Sequence, residues 1–452
     1  MPISKSILES ELRSRNVAVW SSSEGQWKPI PVSYSPTIVS KEDWSQLTAD
    51  ARLILSVFPR VLAWLLQKAT SDDSGSGLLE KIFGGLSNFE SEFISLDPNQ
   101  QWGHVTIRMD LFWHRGEIKI IEVNCTIPAM QAYSCNVYHS WCAAGGRPGA
   151  AQSPDNVSEL LQSIVHRYRL DGGRLSRPRI AILHRAGDSQ LGELMWFEKT
   201  WTELGYQTIR VTPDQLARVG DVWLAHNQPC DIVYRHIFAS KLAEASYSDC
   251  LKENKKYHIY NPVGAHYESK GFLALVSHIA ADADLAQQVG FSSKEVIAIE
   301  QRVPWTRVMG GPFGAVSTEN IERRLEGLVL KRSVGYGGHH VLMGDGWFSN
   351  ETQHKLQSLT GKTGIIDFAT FASWCQTDDS LWIVQERMSG ARRRTEVLTP
   401  NGVELWDAWY DASIFLSSGG LPVCFGGVSR IAKSPVVNIG TGGGLAPFLI
   451  ES

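Results

Sequence analysis

A mixed fold of helices and sheets, α/β with an α+β part, is predicted by three patterns. Residues 105–124 alternate like a β-hairpin, residues 157–260 alternate helices with short apolar strands, and residues 328–386 hold strands interrupted by a Gly-rich loop. Period-two alternation marks a half-buried strand, and strands alternating with helices mark a parallel sheet.

In the first pattern, Val105, Ile107, Met109 and Leu111 alternate with polar residues, Arg115-Gly116 is a turn signal, and Ile118, Ile120 and Ile121 lead into a second strand. A hairpin centred near Gly116 sets Asp110 opposite Glu122 and Arg108 opposite Asn124. Residues two apart on a strand share a face, as do residues directly opposite. Arg108, Asp110, Glu122 and Asn124 then project as one cluster. Adjacent carboxylates repel unless a cation separates them, and an Asp/Glu/Asn oxygen set suits Mg²⁺, which takes one or two carboxylates plus phosphate oxygens. The neighbouring Arg is placed to meet a phosphate or an oxyanion. The plain alternative is a solvated hairpin face with a surface ion pair. Against it stand the apolar residues between the charged ones and the abrupt stop at Asn124-Cys-Thr-Ile-Pro128.

The chain has 452 residues, enough for about three domains. Its 43% hydrophobic and 20% charged content is that of an ordinary globular protein. A net charge of −4 without a long basic run argues against a nucleic-acid partner. Seven Cys without a C-x-x-C pair suit reduced thiols and a cytoplasmic setting. The N-terminus lacks the apolar core of a signal peptide, and no apolar run approaches ~18 residues, so no membrane partner is expected. A homodimer is compatible with the chain's size and aromatic content.

Residues 1 to about 100 are expected to be mainly helical, with a loop at Asp72–Gly77 and helical spacing from Leu78 to Phe93. Residues 145–155 form a Gly/Pro-rich linker. Strands are expected at 179–184, 207–211, 231–235 and 258–260. Helices are expected at 157–170, 190–204 and 241–254, with a helical turn at 214–218. The loop at 184–188 follows the first of these strands, and ligands prefer the carboxyl ends of parallel strands. Further on, 268–280 is an amphipathic helix with Lys270 in its first turn, an odd place for a cation unless an anion is bound. Strand 328–331 carries Lys331 into Ser333–Val341, where Gly335, Gly337 and Gly338 flank Tyr336. Glycines let a backbone approach a ligand and aim N–H groups at it. Strand 381–386 ends in Gln385-Glu386. Arg392, Arg393 and Arg394 are expected in a solvated loop, and strands at 421–431 and 436–439 precede a Gly-rich run at 440–444. There is no H-E-x-x-H, G-x-S-x-G or P-loop, and His339-His340 is a poor metal pair because strand neighbours face opposite ways.

The R-x-D and E-x-N-x-x-x-P of the hairpin, with the Lys270 helix, the Lys331 strand and Gly loop, and Val384-Gln385-Glu386, resemble the ATP-grasp ligases. The metal-binding half precedes the nucleotide half. In this the chain is similar to the circularly permuted branch typified by glutathionylspermidine synthetase, its synthetase domain only. The resemblance spans roughly residues 100 to 445. It implies an ATP-grasp fold with a parallel α/β pre-ATP-grasp domain. Residues 1–150 would be a helical cap plus the metal-binding hairpin, 151–265 the substrate domain, and 266–452 the nucleotide-binding part.

The resemblance further implies that Asp110, Glu122 and Asn124 hold Mg²⁺ between ATP phosphates, and that Arg108 stabilises the acyl-phosphate or the tetrahedral oxyanion. Lys270 and Lys331 would contact phosphates, Gly335, Tyr336, Gly337 and Gly338 would close over them, and Gln385 and Glu386 would line the adenosine pocket. Arg430 matches a late phosphate-binding Arg. The implied reaction is ATP-dependent joining of a small-molecule carboxylate and an amine (amino acid, peptide or polyamine class) through an acyl-phosphate. Alternatives are an ATP-grasp protein that binds nucleotide without ligating, and a kinase acting on a hydroxyl. Gln131, Ser134 and the 185–188 loop are candidate substrate contacts.

Overall fold

The computed structural model describes residues 3–71, 73–96, 102–114, 116–309, 316–335, 340–378, 381–388, 390–418 and 424–452. A short strand β1 (Val32–Ser33) precedes three helices. Helix α1 (Lys41–Ser56) is started by Ser40, whose hydroxyl accepts from the Asp43 N–H, with Glu42 and Asp43 complementing the dipole. Helix α2 (Phe58–Ser71) buries Phe58, Val61, Leu62 and Leu65, the apolar stripe of a surface helix. Helix α3 (Asp73–Phe83) runs through most of the expected 72–77 loop. Burial of Leu78, Ile82 and Phe83 in the same core overrides the weak helix propensity of its Ser/Gly start.

The hairpin forms from β2 (Ile107–His114) and β3 (Glu117–Asn124), with Asp110 paired to Glu122 and Arg108 to Asn124. His114 pairs with Glu117 and Leu111 with Ile120, so the turn alone would set Asp110 opposite Ile121. A β-bulge at Ile121 inserts the extra residue that restores the pairing and changes which face the strand presents. Ile118 and Ile120 therefore join Ile107, Met109, Leu111 and Val123 in a core shared with α1–α3. Helix α4 (Gln131–Ala143) follows.

After helix α5 (Asn156–Leu170) come β4 (Ile180–His184), helix α6 (Leu191–Glu203), β5 (Thr208–Val211), β6 (Ile232–His236) and β7 (Ile259–Tyr260). They form a parallel sheet in the order β7-β6-β4-β5. Every residue of β4 and β6 is buried, with Ala181, Leu183 and Val233 in one core and Ile180, Ile182, Ile232 and Tyr234 in another. Two-sided burial is why residues 180–183 and 232–234 read as unbroken apolar runs. The expected turn at 214–218 is a 3-10 turn, Pro213–Gln215, continuing into a strand, Leu216–Val219. The expected helix at 241–254 is two 3-10 segments, Ala239–Leu242 and Ser248–Glu253.

Helix α7 (Lys270–Ala280) is capped by Ser269, which accepts from the Phe272 N–H. Strands β8 (Thr306–Val308), β9 (Leu328–Arg332), β10 (Val341–Met343) and β11 (Trp382–Glu386) form an antiparallel sheet ordered β8-β11-β9-β10. The last strands are β12 (Ala391–Thr399), β13 (Gly402–Leu416), β14 (Cys424–Ala432) and β15 (Gly444–Ala446). Arg392–Arg394 thus lie in a strand and not a loop: Arg392 pairs with Asp407 at 2.6 Å and stacks over Trp409. Residues 436–438 form no strand, and a 3-10 turn at Ile439–Thr441 follows them. Strands β12, β1, β15, β14 and β13 close on themselves through the β12–β13 pairing. The first part of β13 pairs with β12, and Ala412–Leu416 pair with Ile107–Leu111 of the hairpin. The early hairpin is thereby held against the late strands. Among the described residues no helix is long and apolar enough to cross a membrane, and all seven cysteines are free thiols.

Candidate functional site

A cavity of about 680 Å³ opens between the hairpin, the β8–β11 sheet, the end of β13–β14 and the carboxyl ends of β4 and β6. Its middle is lined by Arg108, Asp110, Glu122, Asn124, Asp411 and Arg430. Asp110 is 4% exposed. The Arg108 guanidinium donates from Nε to Asp110 Oδ1 (2.7 Å) and from Nη2 to Oδ2 (3.1 Å), and Arg430 Nη2 donates to Oδ2 (3.0 Å). The Ser413 hydroxyl adds a donor to Oδ1 at 3.0 Å. Arg430 is also held by Asp411, Nε to Oδ1 at 3.1 Å and Nη2 to Oδ2 at 2.6 Å. Burial by itself would raise the Asp110 carboxyl, but the two guanidiniums hold it well below the usual carboxylate range. Burial pushes Asp411 up to about 6 despite Arg430, helped by repulsion from Asp110. As pH falls, Asp411 is the first of the two to take a proton.

The lysines come from distant segments. Lys270, in the first turn of α7, sits 3.2 Å from Glu122 Oε1 and donates to the Gly335 carbonyl at 2.8 Å. Its buried position explains a cation at a helix N-terminus: a carboxylate and a carbonyl meet it there. Lys331 Nζ donates to Gln385 Oε1 at 2.7 Å and lies 3.5 Å from the carbonyl of Ile121, the bulged residue. Burial lowers Lys331 to about 8, against the pull of Glu122 and with the push of Lys270. Gln385 is tied down, its Nε2 donating to Thr306 Oγ1 at 3.0 Å, while Glu386 is exposed at the cavity wall. Tyr336, Gly337 and Gly338 lie outside the described residues.

The four hairpin residues and both lysines therefore meet at one place, together with Gly335, Gln385, Glu386 and Arg430. Of the candidate substrate contacts, Arg185 and Asp188 line the cavity. Gln131 Nε2 instead donates to Thr106 Oγ1 at 2.9 Å, and the Ser134 hydroxyl to the Gly427 carbonyl at 2.7 Å. The sequence reading missed Asp411 and Ser413, whose signal was two polar residues at alternate positions in the apolar run Ala408–Leu416. It also missed His236 and Gln190, which line the cavity at the ends of the parallel strands.

Whether these side chains suit Mg²⁺ is decided by their remaining capacity. Among the described residues no group of three or more His, Cys, Asp or Glu is arranged as a metal site, and the expected set has only two carboxylates beside an amide. Asp110 already accepts four hydrogen bonds. Glu122 Oε1 is spent on Lys270. The Asn124 side-chain nitrogen is buried without a partner, and since amide orientation is an assignment, this terminus is equally an open oxygen position. Glu122 and Asn124 thus fit a hard cation that completes its shell with phosphate oxygens, and Asp110 joins them only by yielding Arg430 to Asp411.

No family model matches the chain, and no curated protein matches it significantly. Among solved structures it resembles a glutathione synthetase-like effector, GSS30, from Globodera pallida in its apo form. That likeness has a TM-score of 0.59 and 12% identity, covering 94% of this chain and 92% of that one. A putative gamma-glutamylcysteine synthetase from Methylobacillus flagellatus KT matches at a TM-score of 0.40 and 11% identity, over 80% of this chain and 83% of that one. At such identities the likeness is one of fold: the chain has the mixed α/β architecture of the glutathione synthetase-like effector.

Proposed function

We propose that the chain is an ATP- and Mg²⁺-dependent ligase that joins a carboxylate to an amine and releases ADP and phosphate. The observation that carries this reading is the meeting of Asp110, Glu122, Lys331, Arg108 and Arg430 around one cavity, with Lys270 paired to Glu122 behind its wall. A carboxylate is a poor acylating agent until its oxygen becomes a phosphate leaving group, and phosphoryl transfer needs positioning and charge neutralisation more than a protein nucleophile. Glu122 and Asn124 would hold Mg²⁺, which would supply neutralisation of phosphate charge. Lys270 and Lys331 bind and orient the phosphates. Arg108, anchored on Asp110 and the Ala129 carbonyl, aims its guanidinium at the oxygen that gains charge on acyl transfer. The ordinary site of work for such a chain is the cytoplasm.

A nucleotide binder without ligase activity is the second reading, favoured by the full set of donors on Asp110. Purified protein with ATP, Mg²⁺ and mixtures of carboxylates and amines tests both. ADP release that depends on both co-substrates, with a hydroxamate trapped by hydroxylamine, is the ligase result. Nucleotide binding without ADP release is the binder result, and a phosphorylated hydroxyl with no hydroxamate is that of a kinase.

A further inference from the structure

Residues 124–130 lead from the hairpin into α4 and meet the cavity at both ends, Asn124 at one and Ala129 and Met130 at the other. Arg108 leans on this segment: Nη1 donates to the Ala129 carbonyl at 3.3 Å, while Nε and Nη2 go to Asp110. Local forces alone would not fix that carbonyl. Pro128 has no N–H, and Met130 sits at φ 95°, in the left-handed region where a side chain is strained. Such a conformation persists only where the surroundings impose it.

Carboxyl groups from two other elements hold the segment. Glu268, just ahead of α7, accepts with Oε2 from the Cys125 and Thr126 N–H groups at 2.9 and 2.8 Å. Glu193, in the first turn of α6, is 0% exposed and accepts the Met130 N–H with both oxygens, at 3.0 and 2.9 Å. The N–H groups of Ala132 and Tyr133 bond to it as well. Met130 is the N-cap of α4 and has no capping side chain, so Glu193 satisfies the helix start from a different helix. A Ser or Asp in the N-cap position would do that locally. The capping comes instead from the parallel-sheet domain and ends on the turn that carries the Arg108 anchor. Gly192 permits the approach: a Cβ there would lie 2.5 Å from the Asn16 carbonyl oxygen and 2.9 Å from the Tyr133 hydroxyl.

We propose that Glu193 is a positioning residue for Arg108. By holding the Met130 turn it fixes the Ala129 carbonyl, and through that carbonyl the direction in which the guanidinium faces the reacting oxygen. The effect of Glu193 on turnover rests on the ligase reading; its hold on Arg108 does not.

Burial pushes the Glu193 carboxyl up to about 8, against the pull of the three backbone N–H groups and of Arg108, so the test is run at pH 9, where it is ionised. Glu193→Gln keeps the shape and one acceptor oxygen, but sets an amide N–H₂ against the Met130 N–H. At saturating ATP it should lower kcat by about tenfold, the usual cost of one hydrogen bond, and leave the KM for ATP within about twofold. In an Arg108→Ala background the same substitution should change kcat by less than about twofold, because residues acting through one another are not additive. The Arg108 side-chain N–H signals in NMR, assigned by their loss in Arg108→Ala, should shift in Glu193→Gln and stay in place in exposed Glu203→Gln. If the Gln variant does not fold, Met130→Gly loosens the same turn from its other side and is read in the same way. Unmoved Arg108 signals overturn the assignment, and so does an equal loss of turnover with and without Arg108. Unchanged kcat overturns it too and leaves the ligase reading standing. Signals that move, with no ADP release by the unsubstituted chain from any pair of co-substrates, keep Glu193 as the residue that holds Arg108 and remove the ligase reading.

Discussion

Lys331 offers a pH test of the phosphate end. Its folded value near 8 lies below the ordinary 10.5 because the ammonium is desolvated, with Lys270 beside it and Glu122 and Asp110 partly compensating. Without nucleotide, the unfolded chain holds this proton more tightly. Stability therefore rises as pH climbs from about 8 to about 10.5, by about 3 kcal/mol at 1.36 kcal/mol per pH unit. A phosphate against Nζ reverses the preference and draws the proton back. Nucleotide binding should take up about half a proton at pH 8 and nearly a whole one at pH 9, and ADP should bind about tenfold more weakly at pH 9 than at pH 7. Calorimetry of ADP binding in buffers of different ionisation enthalpy measures the uptake. Lys331→Met should weaken binding and abolish both the uptake and the pH slope. Equal affinity at pH 7 and 9, or the same uptake in the variant, would show that no phosphate approaches Lys331.

Arg108→Ala should keep ATP binding while turnover falls by at least about 10²–10³, the usual cost of one well-aimed oxyanion donor; unchanged turnover in a coupled ADP assay removes it from the mechanism. Asp110→Asn leaves Arg108 without its bidentate partner while Arg430 keeps Asp411, so chemical denaturation should report a loss of about 3 kcal/mol, at the low end for a broken buried pair. Gly264→Ala would bring a Cβ to 2.4 Å from His104 Nε2 and 2.9 Å from Cys125 Cβ in a packed core. It should destabilise by about 1–3 kcal/mol, read as a lower Tm.

Much of the site was legible because strand periodicity is local. Apolar residues at alternate positions showed the inner face of β2, and the charged ones between them showed the cavity face. The pairing of Asp110 with Glu122 is as expected, but it depends on a bulge that the two-residue turn does not explain. The doublet Ile120-Ile121, a break in strict alternation, was the only mark of that bulge. The 73–77 segment was misread for the opposite reason: its local composition was overruled by the core that Leu78, Ile82 and Phe83 join.

The amino-acid order by itself determined the hairpin, the strands of the parallel sheet and the helix that carries Lys270, which of the hairpin's faces is apolar, and which residues carry charge toward a site. Only tertiary pairing decided that Arg430 reaches Asp110 across 320 positions of sequence, that Asp411 shares it, and that Lys270 lands on Glu122. Periodicity belongs to a few neighbouring residues, whereas the partner of a buried charge is set by which remote strands complete the same sheet.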